Sequence, residues 1–322
     1  MTQSLVRRCV SVVVALVLGV LDLVSAAAAV RFKRSGEATL GGADALAGVQ
    51  SACEAGRNHV WVEVVGRGDC VAFYPTPGLN RGKAAVFYFE GDIPPSYRHN
   101  RKRLQGHLAS LQGRLDRLAA TYQVPYVMVA RPGTFGSTGN HSARRKDREF
   151  LVMRAAVDAI RQKFELKRIA LAGQSGGATI AGALLVLGMS DVACAVPASG
   201  GYDLKAMLDW HADRQGIVVG VHREHPATLA GDFNVMDRVQ AVRQEPGRRI
   251  FVVGDPGDQV TPFVQQQRFA ERLRADGHHA QLVRAQGSGP QRHGLAGTAL
   301  KMAGLCVTGA DDAEVRRAAK SR

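Results

Sequence analysis

Three residue types spaced along the second half of this chain could together break an acyl bond. Ser175 is the centre of Gly173-Gln174-Ser175-Gly176-Gly177, inside the stretch LAGQSGGA at 171–178. A serine hydroxyl is a weak nucleophile until a histidine takes its proton and an acid orients that histidine. Downstream, Gly254-Asp255-Pro256-Gly257-Asp258-Gln259-Val260-Thr261-Pro262 offers two acids, and Gly287-Ser288-Gly289-Pro290-Gln291-Arg292-His293-Gly294 offers a histidine. His278 and His279 directly follow Asp276-Gly277 and precede the last strand-like segment, so they read as solvated turn residues. Five residues in a chain with 36 glycines carry little weight by themselves. The elements around them decide.

Those elements alternate. Two apolar, β-branched runs in 59–74 flank Gly66-Arg67-Gly68-Asp69 and predict a hairpin. A buried-type strand, AAVFYF at 84–89, ends at Glu90-Gly91-Asp92. Residues 99–122 carry Leu104, Leu108, Leu111, Leu115 and Leu118 at helical spacing. A strand at 126–130, a loop at 131–141 (RPGTFGSTGNH) and a helix at 147–165 follow. Then come strand 168–172, helix 175–189, strand 192–198, a less regular section 200–246 with a helix near 204–212, strand 249–253, helix 262–275, strand 280–285 and a helical stretch from about His293 to Cys306. Two antiparallel strands followed by strand–helix alternation predict a mixed, mostly parallel sheet with helices on both faces. The loop 131–141 has no G-K-[ST] element, which excludes a P-loop.

In that frame Ser175 stands where the buried strand RIALA turns directly into a small, apolar helix. A side chain exposed on so sharp a turn needs a strained backbone, and the flanking positions must let strand and helix approach. Gly173 and Gly177 fill them. The helix N-terminus aims free N–H groups at the site, and the N–H of Gly176 is the expected first donor to a developing oxyanion. Acid and base each follow their own strand at its C-terminal end, where α/β sheets build sites.

Composition sets the setting. The formal charge is +14 over 322 residues, from 33 Arg and 9 Lys against 28 acids. That balance suggests anionic surroundings, such as loose association with an anionic cell envelope. The cations are scattered, and no aromatic-rich RNA-binding motif or zinc-ligand spacing accompanies them, so no specific nucleic-acid partner is expected. Arg7 and Arg8, the apolar run 9–21 and Ser25-Ala26-Ala27-Ala28-Ala29 have the grammar of a secretory signal peptide. The expectation is therefore a leader over 1–29, one domain over 30–310, a charged, frayed tail over 311–322, and export to the periplasm or medium. Removing Cys9 leaves Cys53, Cys70, Cys194 and Cys306, which allow three connectivities. Cys53 with Cys70 is preferred because both flank one hairpin, which leaves Cys194 with Cys306.

GQSGG on a strand–helix turn, GDPGDQVTP after the next-to-last strand and RHG after the last one resemble the α/β-hydrolase superfamily, in particular its bacterial esterase and prolyl-oligopeptidase-like branches. The resemblance covers roughly residues 59–306. It implies an α/β-hydrolase fold with a small lid insertion over about 200–246, and a Ser–Asp–His order that makes Ser175 nucleophile and His293 base. The G-x-x-D-x-V-x-P-like turn of those families selects Asp258 as the acid and leaves Asp255 as a turn former. The second oxyanion donor is expected after the strand AAVFYF, at the amide of Asp92. Many members carry His-Gly there, and Glu90 is a departure that must turn away or pair, with nearby arginines as candidates. The implied reaction is hydrolysis of a small-molecule ester through an acyl-enzyme, with no cofactor or metal. A short peptide substrate and a non-catalytic binding role are the alternatives.

Overall fold

Pairing begins with a two-residue turn. Val65 and Gly66 both have positive φ, 48° and 69°, the geometry that joins strands of matching twist. The hairpin is therefore tighter than its glycines suggested: β1 (His59–Val64) and β2 (Arg67–Pro75) pair from Val64↔Arg67, and Arg67 to Asp69 are strand residues. The structure is a computed structural model that describes residues 43–80, 83–94, 100–213 and 232–320. The leader-like segment 1–29, residues 95–99 and the middle of the insertion, 214–231, lie outside the described residues. From Ala45 onward the described residues form one compact unit.

After a helix α1 (Ala43–Ala55) and the hairpin come β3 (Ala84–Phe89), α2 (Arg101–Tyr122), β4 (Tyr126–Val129), α3 (Asp147–Lys163), β5 (Arg168–Gln174), α4 (Gly176–Val186) and β6 (Val192–Ala198). The chain continues through α5 (Leu204–Asp213), a 3-10 turn at Met236–Ala241, β7 (Arg249–Gly254), α6 (Phe263–Ala275), β8 (Ala280–Arg284), α7 (Ala296–Thr308) and α8 (Asp312–Arg317). The eight strands form one sheet in the order β1-β2-β4-β3-β5-β6-β7-β8. β2 is antiparallel to both neighbours, and every pair from β4–β3 to β7–β8 is parallel.

Strand residues alternate between two cores. Ile169 and Leu171 of β5 pack with α3, α4 and α6, through Phe150, Ile180 and Phe269. Ala170 and Ala172 pack on the other side with α2 and α7, through Leu115 and Leu300. A sheet buried on both faces explains why its strands read as unbroken apolar runs. The side chain of Asn100 accepts from the amide of Arg103 at 3.0 Å and starts α2, two residues later than its leucine stripe suggested.

Two disulfides staple this frame, Cys53–Cys70 from α1 to β2 and Cys194–Cys306 from β6 to α7, with Cα separations of 5.7 and 6.1 Å. The C-terminal residues differ from expectation. Beyond Asp311 they form α8, whose Val315 is fully buried and whose Asp312 pairs with Arg249 at 3.1 Å. The Asp311 side chain caps α8 by accepting from the amide of Glu314 at 2.8 Å. A charged sequence hid one apolar contact and an N-cap, which suffice to dock a short helix. His293 likewise lies outside a helix: α7 begins only at Ala296.

Candidate active site

The loops after β3, β5, β7 and β8 meet at the C-terminal edge of the sheet. Between β5 and α4, Ser175 adopts φ 57° and ψ −125°, a conformation that costs a non-glycine residue on the order of 1–3 kcal/mol. The surroundings hold it there. Its N–H donates to Ala198 at 2.9 Å, and its carbonyl accepts from Ala178 and Thr179 at 2.9 and 3.1 Å. A side chain at Gly173 would collide with the Gly177 carbonyl, and one at Gly177 with the Phe89 carbonyl. Close approach of β3, β5 and α4 thus requires both glycines, and Ser175 is left half-buried at the end of a wholly buried helix.

The structure brings Asp258 and His293 together. Asp258 is fully buried at its carboxylate, where Oδ1 accepts from the amides of Val260 and Thr261 at 2.8 and 3.0 Å. Its Oδ2 lies 2.8 Å from His293 Nδ1, and Oδ1 lies 3.0 Å from the same nitrogen. Because an ionised carboxylate only accepts, Nδ1 carries the proton and Nε2 is left as a base. His293 Nε2 is buried with no hydrogen-bond partner among the described residues. Gln174, next to the serine, ties the two halves: its Nε2 donates to the carbonyl of His293 at 3.1 Å.

Asp255 does something else. Its Oδ2 accepts from Arg292 Nε at 2.9 Å and from the Gly287 amide at 2.7 Å, while Oδ1 accepts from Arg292 Nη2 and the Gly257 amide. Burial favours the neutral acid, but Arg292 and the two amides outweigh it and hold the carboxyl below its ordinary range. Asp255 therefore braces the residue before His293. Asp255 holds a turn as expected, and its partner Arg292, which adjoins the histidine, carries no sequence signal for that pairing.

The loop after β3 reaches the serine: a side-chain carbon at Gly91 would lie 3.3 Å from Ser175 Cβ. The amides of Gly176 and Asp92, both expected to face an oxyanion, have no protein acceptor among the described residues. Glu90 turns away, but among the described residues no arginine pairs with its carboxylate. Its Oε1 accepts from the Gly91 amide at 3.0 Å, and Oε2 lies 3.4 Å from both His107 Nε2 and the Tyr88 hydroxyl. The bond to Glu90 raises the His107 pKa.

The arginines gather on Asp92 instead. Arg131 Nη1, Arg144 Nε and Arg145 Nη2 reach its carboxylate at 2.7, 3.0 and 2.9 Å, and Arg131 also donates to Glu149 at 2.8 Å. Partial burial opposes ionisation of Asp92, yet Arg145, Arg131 and Arg144 overcome it and keep the carboxyl far below its usual range. A Cβ on Gly176 would collide with this carboxylate, so the clamp stands directly over the sharp β5–α4 elbow that carries Ser175. Arg131 and His141, at the two ends of the loop 131–141, are both buried, and His141 Nε2 accepts from the Ile93 amide at 3.2 Å. Clustered arginines in 131–145 beside an acid after β3 were the available signal, but their pairing needs the fold. Among the described residues no cluster of His, Cys, Asp and Glu is arranged to hold a metal ion.

No protein-family model and no curated protein matches the sequence. Among solved structures the chain is similar to the Pyrococcus furiosus esterase Pf2001, at 14% identity and a TM-score of 0.52, over 80% of this chain and 90% of that one. It is also similar to a puromycin hydrolase, at 19% identity and a TM-score of 0.50, covering 78% of this chain and 39% of that one. An acylaminoacyl peptidase from Pyrococcus horikoshii gives 12% identity and a TM-score of 0.50, covering 79% and 42%. The chain spans about two fifths of the length of these last two. Strand order, the parallel crossovers and these likenesses together show that the chain has the α/β-hydrolase fold, which it shares with an esterase, a puromycin hydrolase and an acylaminoacyl peptidase.

Proposed function

We propose that this protein is an exported serine hydrolase that cleaves a small ester through an acyl-enzyme. The observation that carries the reading is the pairing of His293 Nδ1 with Asp258, with no partner for Nε2 among the described residues, on a loop that Gln174 ties to the serine turn at positive φ. Ser175 Oγ attacks the acyl carbon as His293 Nε2 takes its proton, and Asp258 stabilises the resulting imidazolium. The amides of Gly176 and Asp92 receive the oxyanion. Collapse of that intermediate breaks the ester bond, and His293 returns the proton to the leaving alcohol. Water, activated by the same imidazole, then hydrolyses the acyl-serine. The two disulfides support an oxidising destination, and among the described residues no helix is long and apolar enough to cross a membrane.

Purified protein and Ser175→Ala are compared on p-nitrophenyl acyl esters, on amino-acid p-nitroanilides and with a fluorophosphonate probe. Ester turnover should exceed anilide turnover, and Ser175→Ala should lose about 10⁴-fold or more in kcat and all labelling. Undiminished labelling of the variant would remove the nucleophile assignment, while faster anilide cleavage would move the reading to a peptidase. N-terminal sequencing of protein recovered from periplasm and medium tests export, with cleavage expected before Val30.

A further inference from the structure

A cavity of about 850 Å³ lies beside the His293 loop, and its walls are cationic. Arg114 of α2, Arg284 at the end of β8, Arg292, Lys301 of α7 and Lys320 after α8 all line it, and no lining residue is acidic. Arg292 is shared with Asp255. Arg114, Arg284 and Lys320 are exposed and enter no ion pair among the described residues. At Asp92, by contrast, three clustered arginines converge on one carboxylate. Like charges brought to one concavity repel and destabilise the fold unless an anion offsets them. The first turn of α7, with Gly297 and Thr298 in the same wall and no acid, adds a small positive contribution.

We propose that this cavity binds a small soluble polyanion, one carrying two or more phosphate or carboxylate groups. A single charge cannot offset cations supplied by four separate parts of the chain, and the volume admits a ligand of ordinary metabolite size. Guanidinium forks favour planar or tetrahedral oxyanions through paired hydrogen bonds. The site does not depend on the hydrolase reading, since Ser175, Asp258 and His293 are absent from its lining.

Pyrophosphate and citrate serve as probes, titrated calorimetrically into the full chain at a fixed ionic strength near ~0.15 M to hold screening constant. One-site, saturable binding and a ligand-dependent rise in Tm are expected for at least one probe, and the better probe assigns phosphate or carboxylate. Arg114→Ala combined with Arg284→Ala should weaken binding about tenfold or more. Arg284→Gln with Lys320→Ala repeats the test from another wall, and circular dichroism checks that both pairs fold. Ser175→Ala should bind as wild type, which separates this site from the proposed catalysis. Lys205→Ala, on α5 and outside the lining, is the charge control. The proposal is overturned if neither probe binds saturably in the millimolar range. Equal affinity in wild type and both double variants, or an equal loss in Lys205→Ala, would also overturn it.

Discussion

At the residue scale, the two aspartates after β7 are the sharpest contrast. Asp258 is spent on His293 and two amides, Asp255 on Arg292 and two others. Asp258→Asn should lower kcat by about 10⁴-fold with little change in Tm, because the amide side chain still accepts from Val260 and Thr261. Asp255→Asn should do the reverse: activity falls modestly, and stability drops by about 1.5–3 kcal/mol, read from urea unfolding. Its sign with pH follows from the depressed carboxyl. Below the unfolded-state pKa of about 3.9 the unfolded chain takes up protons first, so the Asp255 contribution is full above that pH and is lost as pH falls further. The stability gap between wild type and Asp255→Asn should therefore narrow on acidification below about pH 4. Gly176→Ala tests the clamp above the elbow. Its methyl must displace Asp92 and Arg131, and kcat should fall about 10²-fold or more if the paired amides separate. Unchanged kcat would detach that loop from the chemistry.

At the element scale, the staples and the last helix can be ranked. Cys194–Cys306 closes a separation of 112 residues and Cys53–Cys70 one of 17. Loop-closure entropy gives about 4–5 kcal/mol for the first and about 3 kcal/mol for the second. Replacing the Cys194–Cys306 pair with alanines should lower Tm more than replacing Cys53–Cys70, by calorimetry. Val315→Asp should destabilise by about 2 kcal/mol or more, since it places an unpaired charge at a fully buried position. Elements with strong periodicity or an unbroken apolar run were legible in the sequence: β3, β5, β6 and β7 fall where AAVFYF, RIALA, VACAVPA and RIFVV stand. The hairpin turn and α8 were not, because each rests on one or two residues: an exposed Val65 accepting positive φ, and a lone Val315 among charges.

At the scale of the whole molecule, what could be read from one strand–turn–helix was read, and what depends on several loops meeting was not. Ser175, Asp258 and His293 each follow a recognisable strand, so their candidacy was visible. The convergence of Arg131, Arg144 and Arg145 on Asp92 joins segments 39 to 53 residues apart, and the clustering of arginines in 131–145 does not say which acid they meet. The same distributed organisation holds the backbone at Ser175 in a conformation with a stability cost. A φ of 57° suits glycine better than any residue with a side chain. Ser175→Gly should therefore unfold at a higher temperature than Ser175→Ala, by about 1 kcal/mol of relieved strain less glycine's extra freedom in the unfolded chain. If Ser175 is the nucleophile we propose, the fold gives up robustness at the one backbone position that presents its hydroxyl.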